Sequence, residues 1–109
     1  MRRTVPAFLA CVFFAVGLLA QVRTIDLVAA PGTPEIEPGL TQLAWLYGDR
    51  LPGPMIRMRE DEVVDVRVRN NLPAATTVHW HGQAVHQGMD GMPGMSRPAI
   101  APGQEFVYR

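Results

Sequence analysis

Lysine is missing from this chain altogether, and cysteine occurs once, at Cys11. Every basic residue is an arginine, and the sequence offers no physical reason for it. Cys11 sits in an apolar stretch near the start, so the rest of the chain has no disulfide and no thiolate metal ligand to draw on. A charge excess of one sign is lacking too. Beyond residue 30, seven arginines face nine acids, a net of −2, which argues against nucleic acid as a partner. There is no internal repeat and no helical pattern beyond the apolar stretch, and 109 residues leave room for one small domain.

The apolar stretch runs from Val5 to Ala20 behind Met1-Arg2-Arg3. It is shorter than the roughly 20 apolar residues of a spanning helix, and with its basic start it reads as a secretory signal. Ala20 and Ala30 are both candidate cleavage points, the second made awkward by Pro31. Arg2-Arg3 invites a twin-arginine route, although Val5-Pro6 stands where that signal wants a hydrophobic Phe-Leu pair. Phe8-Leu9-Ala10-Cys11 glances at a lipoprotein box, but the apolar run continues past it, so Cys11 reads as filler. The expectation is residues 1–30 as a signal peptide or uncleaved N-terminal anchor, the only link to a membrane, on a protein exported to a periplasm or cell exterior.

Residues 31–40, with Pro31-Gly32-Thr33-Pro34 and Pro38-Gly39, read as a linker into a first strand at Leu40 to Tyr47. Pro52-Gly53-Pro54 makes a rigid turn. Val64, Val66 and Val68 alternate with Asp65, Arg67 and Arg69, the period of a strand with one face buried, and Asn70-Asn71-Leu72-Pro73 ends it. Phe106 and Tyr108 give another period-two strand. Short strands between Gly/Pro turns predict an all-β, Greek-key β-sandwich over residues 41–109.

Within it lies Thr76-Thr77-Val78-His79-Trp80-His81-Gly82. In a strand, side chains at i and i+2 share a face, so His79 and His81 project together while Val78 and Trp80 turn to the core. Their Cα atoms would be about 7 Å apart, too far to share one ion easily but well placed to serve two adjacent ones. Imidazole suits Cu, Zn, Fe and Ni, so the pair alone names no metal, and two solvent-facing histidines remain the bland alternative.

Further segments surround the pair: Gly48-Asp49-Arg50-Leu51-Pro52-Gly53-Pro54, Asn70-Asn71-Leu72, Asp90-Gly91-Met92-Pro93-Gly94 and Pro102-Gly103-Gln104-Glu105-Phe106-Val107-Tyr108. Together and in this order they resemble the first, plastocyanin-like cupredoxin domain of the multicopper oxidases (laccases, ascorbate and bilirubin oxidases, copper-resistance oxidases) over about residues 41 to 109. Copper nitrite reductases share that fold, but His79-Trp80-His81-Gly82 fits them poorly. The resemblance implies a cupredoxin-like sandwich that is partial here, with further cupredoxin domains in a longer parent. It implies a parent enzyme that couples one-electron oxidation of phenols or metal ions to four-electron reduction of O2 to water. It also implies His79 as a ligand of the type 2 copper and His81 as a ligand of the type 3 pair. The other ligands of that trinuclear centre, and the type 1 copper with its cysteine, would lie beyond Arg109, leaving this chain inactive alone.

Asp90, nine residues after His81, takes the place of an acid that the family keeps near the type 2 copper, and a proton relay is the implied role; turn chemistry is the plain alternative. Trp80 reads as a core residue, and His86 matches no family ligand and reads as an exposed loop histidine. Met89, Met92 and Met95 recur every three residues around Asp90 and depart from the family pattern. Thioether sulfur selects Cu(I), so they are candidate cuprous contacts, against the alternative of aliphatic packing; Met55 and Met58 read as strand-edge filler. Two other classes stay open: a non-catalytic periplasmic copper-binding module, and a copper-free cupredoxin-like scaffold.

Overall fold

The computed structural model describes residues 22–109; the apolar segment with Arg2, Arg3 and Cys11 lies outside them. The organising strand is the one the valine alternation predicts. It is β5, Val64–Asn70, with Val64, Val66, Val68 and Asn70 buried, and it is the third strand in the sheet order β4-β1-β5-β6. β1 is Arg23–Gly32, β4 is Ala44–Tyr47 and β6 is Glu105–Tyr108. β1 and β5 run parallel, so the chain crosses over between them, and on the way β2 (Glu35–Glu37) and β3 (Leu40–Thr41) pair as a small separate sheet. β6 closes antiparallel on the other side of β5. Among the described residues the only helical element is a 3-10 turn at Gln87–Met89, so the structure is all-β as expected.

Polar positions on these strands are paired in register. Asp26 is the register partner of Arg67 and Arg69 that of Glu105, and both pairs form ion pairs at 3.3 and 3.7 Å. Such exposed pairs contribute little energy, but they oppose a one-residue slip that would turn the valines outward. Arg109 grips both oxygens of Asp65 at 2.7 Å, and this hydrogen bonding holds the Asp65 carboxyl below the usual carboxylate range.

The expected boundary near residue 30 does not describe the sheet. Arg23–Gly32, assigned from sequence to the signal and the linker, is a ten-residue strand with Leu27 and Ala29 buried. Its own alternation was obscured by the apolar run before it. Pro31, which cannot donate to a ladder, is accommodated because it lies past the β5 pairing, which ends at Ala29, and faces only β4, across from Trp45. The strand expected over Leu40 to Tyr47 is split into β3 and β4, and residues 31–40 carry the end of β1, all of β2 and the start of β3. Met55 and Met58 lie outside any strand and are largely exposed.

The core gathers Leu27, Val64, Val66, Val68, Ile100 and Tyr108, with Val78 and Trp80 packed against it. Among the described residues Asn70 is the one buried polar residue, at 0% exposure beside that core. Its Nδ2 donates to Ala74 O at 2.9 Å and Ile100 O at 2.8 Å, and its Oδ1 accepts from Leu72 N at 2.9 Å. One amide therefore fastens the end of β5, the following turn and the Ile100 segment that bridges Thr76 just ahead of the histidines. Asn70→Ala would leave the Ala74 carbonyl and the Leu72 amide unpaired, at about 1–3 kcal/mol each where they stay buried, while Ile100 O keeps its bond from Thr76 N. The Leu72 amide should then exchange with solvent at least about tenfold faster in hydrogen-exchange measurements, with β1 amides less affected.

Candidate metal centre

Residues 77–80 belong to no sheet; the sole bridge here joins Thr76 to Ile100. The expected strand therefore has a strand's side-chain alternation without its ladder. His79 and His81 are exposed while Val78 and Trp80 are partly buried, and the two imidazole rings stand edge to face with centroids 5.5 Å apart. The rings do project together, as the spacing predicts.

A loop takes the place of a neighbouring strand. An ideal Cβ on Gly91 would sit 1.7 Å from the Val78 carbonyl oxygen, and Gly91 has φ +77°, so only glycine fits this approach. The approach brings the preceding Asp90 carbonyl to His79, whose Nδ1 lies 2.8 Å away. A carbonyl only accepts, so Nδ1 carries the hydrogen, and in the neutral ring Nε2 keeps a free lone pair. That is the arrangement of a metal-binding histidine oriented by a backbone partner. The Asp90 carboxylate is farther from the same nitrogen, at 3.5 Å and one-third exposed, and forms an ion pair only when the ring is protonated. Among the described residues no group of three or more His, Cys, Asp or Glu is placed to hold one ion.

The docked loop is secured from behind. Thr77 Oγ1 donates to Gly91 O at 2.6 Å, Tyr108 Oη accepts from Val78 N at 3.2 Å, and the Tyr108 ring packs edge-on to Trp80 and Phe106. The guanidinium of Arg97, on the far arm of the loop, lies 3.0 Å over the Phe106 ring. In the sequence Gly91, Thr77 and Tyr108 stand out only as parts of their segments. The signal available was Gly91 itself, in the Asp90-Gly91 turn.

The three methionines differ in burial. Met89 is half-buried in the 3-10 turn and lines an apolar cavity of about 100 Å³ with Met58, Val64, Val66, Trp80 and Tyr108, whereas Met92 and Met95 are exposed. His86 is exposed, as expected, and caps that turn by accepting from Gly88 N at 3.2 Å.

An all-β domain carrying two exposed imidazoles side by side, one held by a backbone carbonyl, is of the cupredoxin kind. Comparison with known proteins takes this further. A family model described as multicopper oxidase matches residues 29–109. Copper resistance protein A of Pseudomonas syringae pv. tomato is 45% identical over 71 residues, which are 65% of this chain and 12% of that protein. Laccase-1 of Emericella nidulans is 39% identical over 84 residues, covering 62% of this chain and 14% of its own length. The crystal structure of a multi-copper oxidase from Pseudomonas thermotolerans superposes with a TM-score of 0.77 at 39% identity, over 82% of this chain and 22% of that one. The chain belongs to the multicopper oxidase family, and it spans only a small part of the length of these relatives.

The close approach at Gly91 has a direct consequence. Gly91→Ala must push the Asp90–Gly91 peptide away from Val78, breaking the His79 hydrogen bond. In the full protein, metal bound at His79 should weaken about 10- to 100-fold by chelator competition; wild-type retention would show that the close approach does not matter.

Proposed function

We propose that this chain supplies the first copper ligands of an exported oxidase, which couples one-electron oxidation of phenols or metal ions to reduction of O2 to water. The observation that carries the reading is the paired imidazoles, with His79 Nδ1 given to the Asp90 carbonyl so that Nε2 faces outward. In this reading His79 is a type 2 copper ligand and His81 a type 3 copper ligand. The donor chemistry fits, because imidazole is a good copper ligand. Copper, when bound, supplies the one-electron steps that dioxygen reduction requires.

The chain's own residues orient donors and handle protons. Thr77 and Gly91 hold the loop, and the loop holds His79. Reducing O2 to water consumes protons, and the Asp90 carboxylate, one-third exposed beside His79, can take them from solvent and pass them on. The remaining ligands and the site that accepts electrons belong to other parts of the full protein, consistent with the lack of a three-ligand cluster among the described residues. That same lack favours a second reading for the chain by itself, a copper-binding module without catalysis. Retention of both histidines speaks against a copper-free scaffold.

The electron donor stays at the level of class, since relatives include both a copper resistance protein and a laccase. If cuprous ion is a donor, Met92 and Met95 are the thioethers open to it, whereas Met89 is half-packed. Export to a periplasm or cell exterior rests on Met1-Arg2-Arg3 and the apolar run to Ala20. Cleavage near Ala20 would leave β1 whole, whereas cleavage after Ala30 would divide it.

Asp90→Asn tests the relay cleanly, because it keeps the backbone carbonyl that orients His79. In the full protein, copper content should stay at the wild-type level while O2 consumption falls about 100-fold and its pH dependence changes. Wild-type turnover with an unchanged pH profile would contradict the role.

A further inference from the structure

We propose that Tyr108 and Thr77 are positioning residues, joined in a one-way hydrogen-bond chain that sets where His79 presents its metal-binding nitrogen. The inference rests on the reading of His79 as a copper ligand. Thr77 and His79 lie two residues apart in the chain, and their side chains take two successive carbonyls of the loop. His79 Nδ1 meets Asp90 O at 2.8 Å, and Thr77 Oγ1 meets Gly91 O at 2.6 Å. Side chains thus do what a β-ladder would otherwise do for residues 77–80.

The direction of the chain follows from its ends. Val78 N–H can only donate, so at 3.2 Å the Tyr108 oxygen accepts from it. Gly91 O can only accept, so the Thr77 hydroxyl spends its hydrogen there. The contact between Tyr108 Oη and Thr77 Oγ1, at 3.2 Å, then has one consistent sense: Tyr108 donates and Thr77 accepts. Reversing any link strands a buried group, which gives the loop a single register against the histidines. Tyr108 is suited to anchor this chain. It is 2% exposed, lies on β6, and is held between the Trp80 and Phe106 rings at centroid distances of 5.6 and 4.8 Å, with Arg97 capping Phe106. Movement of β6 is thereby transmitted to the Asp90–His79 contact through two hydroxyl groups.

Three variants of the full protein separate positioning from general stability. Thr77→Val keeps the β-branched shape and removes the hydroxyl, Thr77→Ser keeps the hydroxyl, and Tyr108→Phe keeps the ring. Two readouts apply: copper affinity with the electron paramagnetic resonance spectrum of bound Cu(II), and, in copper-free protein, solvent-exchange protection of the His79 Nδ1–H. Thr77→Val and Tyr108→Phe should weaken copper retention about tenfold, alter the spectrum and lose ring N–H protection, while Thr77→Ser keeps all three near wild type. Should Tyr108→Phe not fold, the Thr77 pair decides alone. Equal behaviour of Thr77→Val and Thr77→Ser, or wild-type values in Thr77→Val, would overturn the proposal. A wild-type protein that binds no copper would defeat the copper reading, and the ring N–H protection would still decide whether the network positions His79.

Discussion

The contact between Gly91 and the Val78–His79 peptide is the constraint on which the site depends. The two backbones meet where an ideal Cβ on Gly91 would lie within bonding distance of the Val78 oxygen, so the loop docks as bare main chain or not at all. That docking puts the Asp90 carbonyl on His79 Nδ1 and the Gly91 carbonyl on Thr77. It ties a segment without ladder partners to the loop through His79 and Thr77. Ligand orientation by a backbone acceptor costs no side-chain entropy, unlike orientation by a long polar side chain.

The sheet supplies the ground that this contact stands on. β5 delivers Asn70, whose buried amide ties the turn after the strand to Ile100, and Ile100 in turn bridges Thr76 at the entrance to the histidine segment. From the other side, β6 delivers Tyr108 to the Val78 amide and the Thr77 hydroxyl. The cupredoxin-like core and the candidate metal centre therefore share residues: Tyr108 is at once a buried member of the hydrophobic cluster and a support of the segment that carries the two histidines.

Much of this could be read from the amino acids, for identifiable reasons. β5 was legible because valines and charges alternate without interruption, and the charges turned out to face register partners on β1 and β6. The common direction of His79 and His81 was legible from their spacing of two, and it survives the absence of a ladder. β1 was not legible, since its short inward stripe of Leu27 and Ala29 follows directly on an apolar run with a stronger pattern of its own. The threefold spacing of Met89, Met92 and Met95 suggested one soft patch; Met89 is half-buried at the end of the 3-10 turn, whereas Met92 and Met95 are exposed. The hydroxyl network could not be foreseen from spacing, because Thr77 and Tyr108 are 31 residues apart and meet only through the loop packing.

The most direct test is diffraction from crystals of the full, copper-loaded protein at wavelengths on either side of the copper absorption edge. The account predicts two separate copper peaks, one within bonding distance of His79 Nε2 and the other at a ring nitrogen of His81, with the Asp90 carbonyl still on His79 Nδ1. A single peak shared by both rings, or no copper at His79, would contradict it.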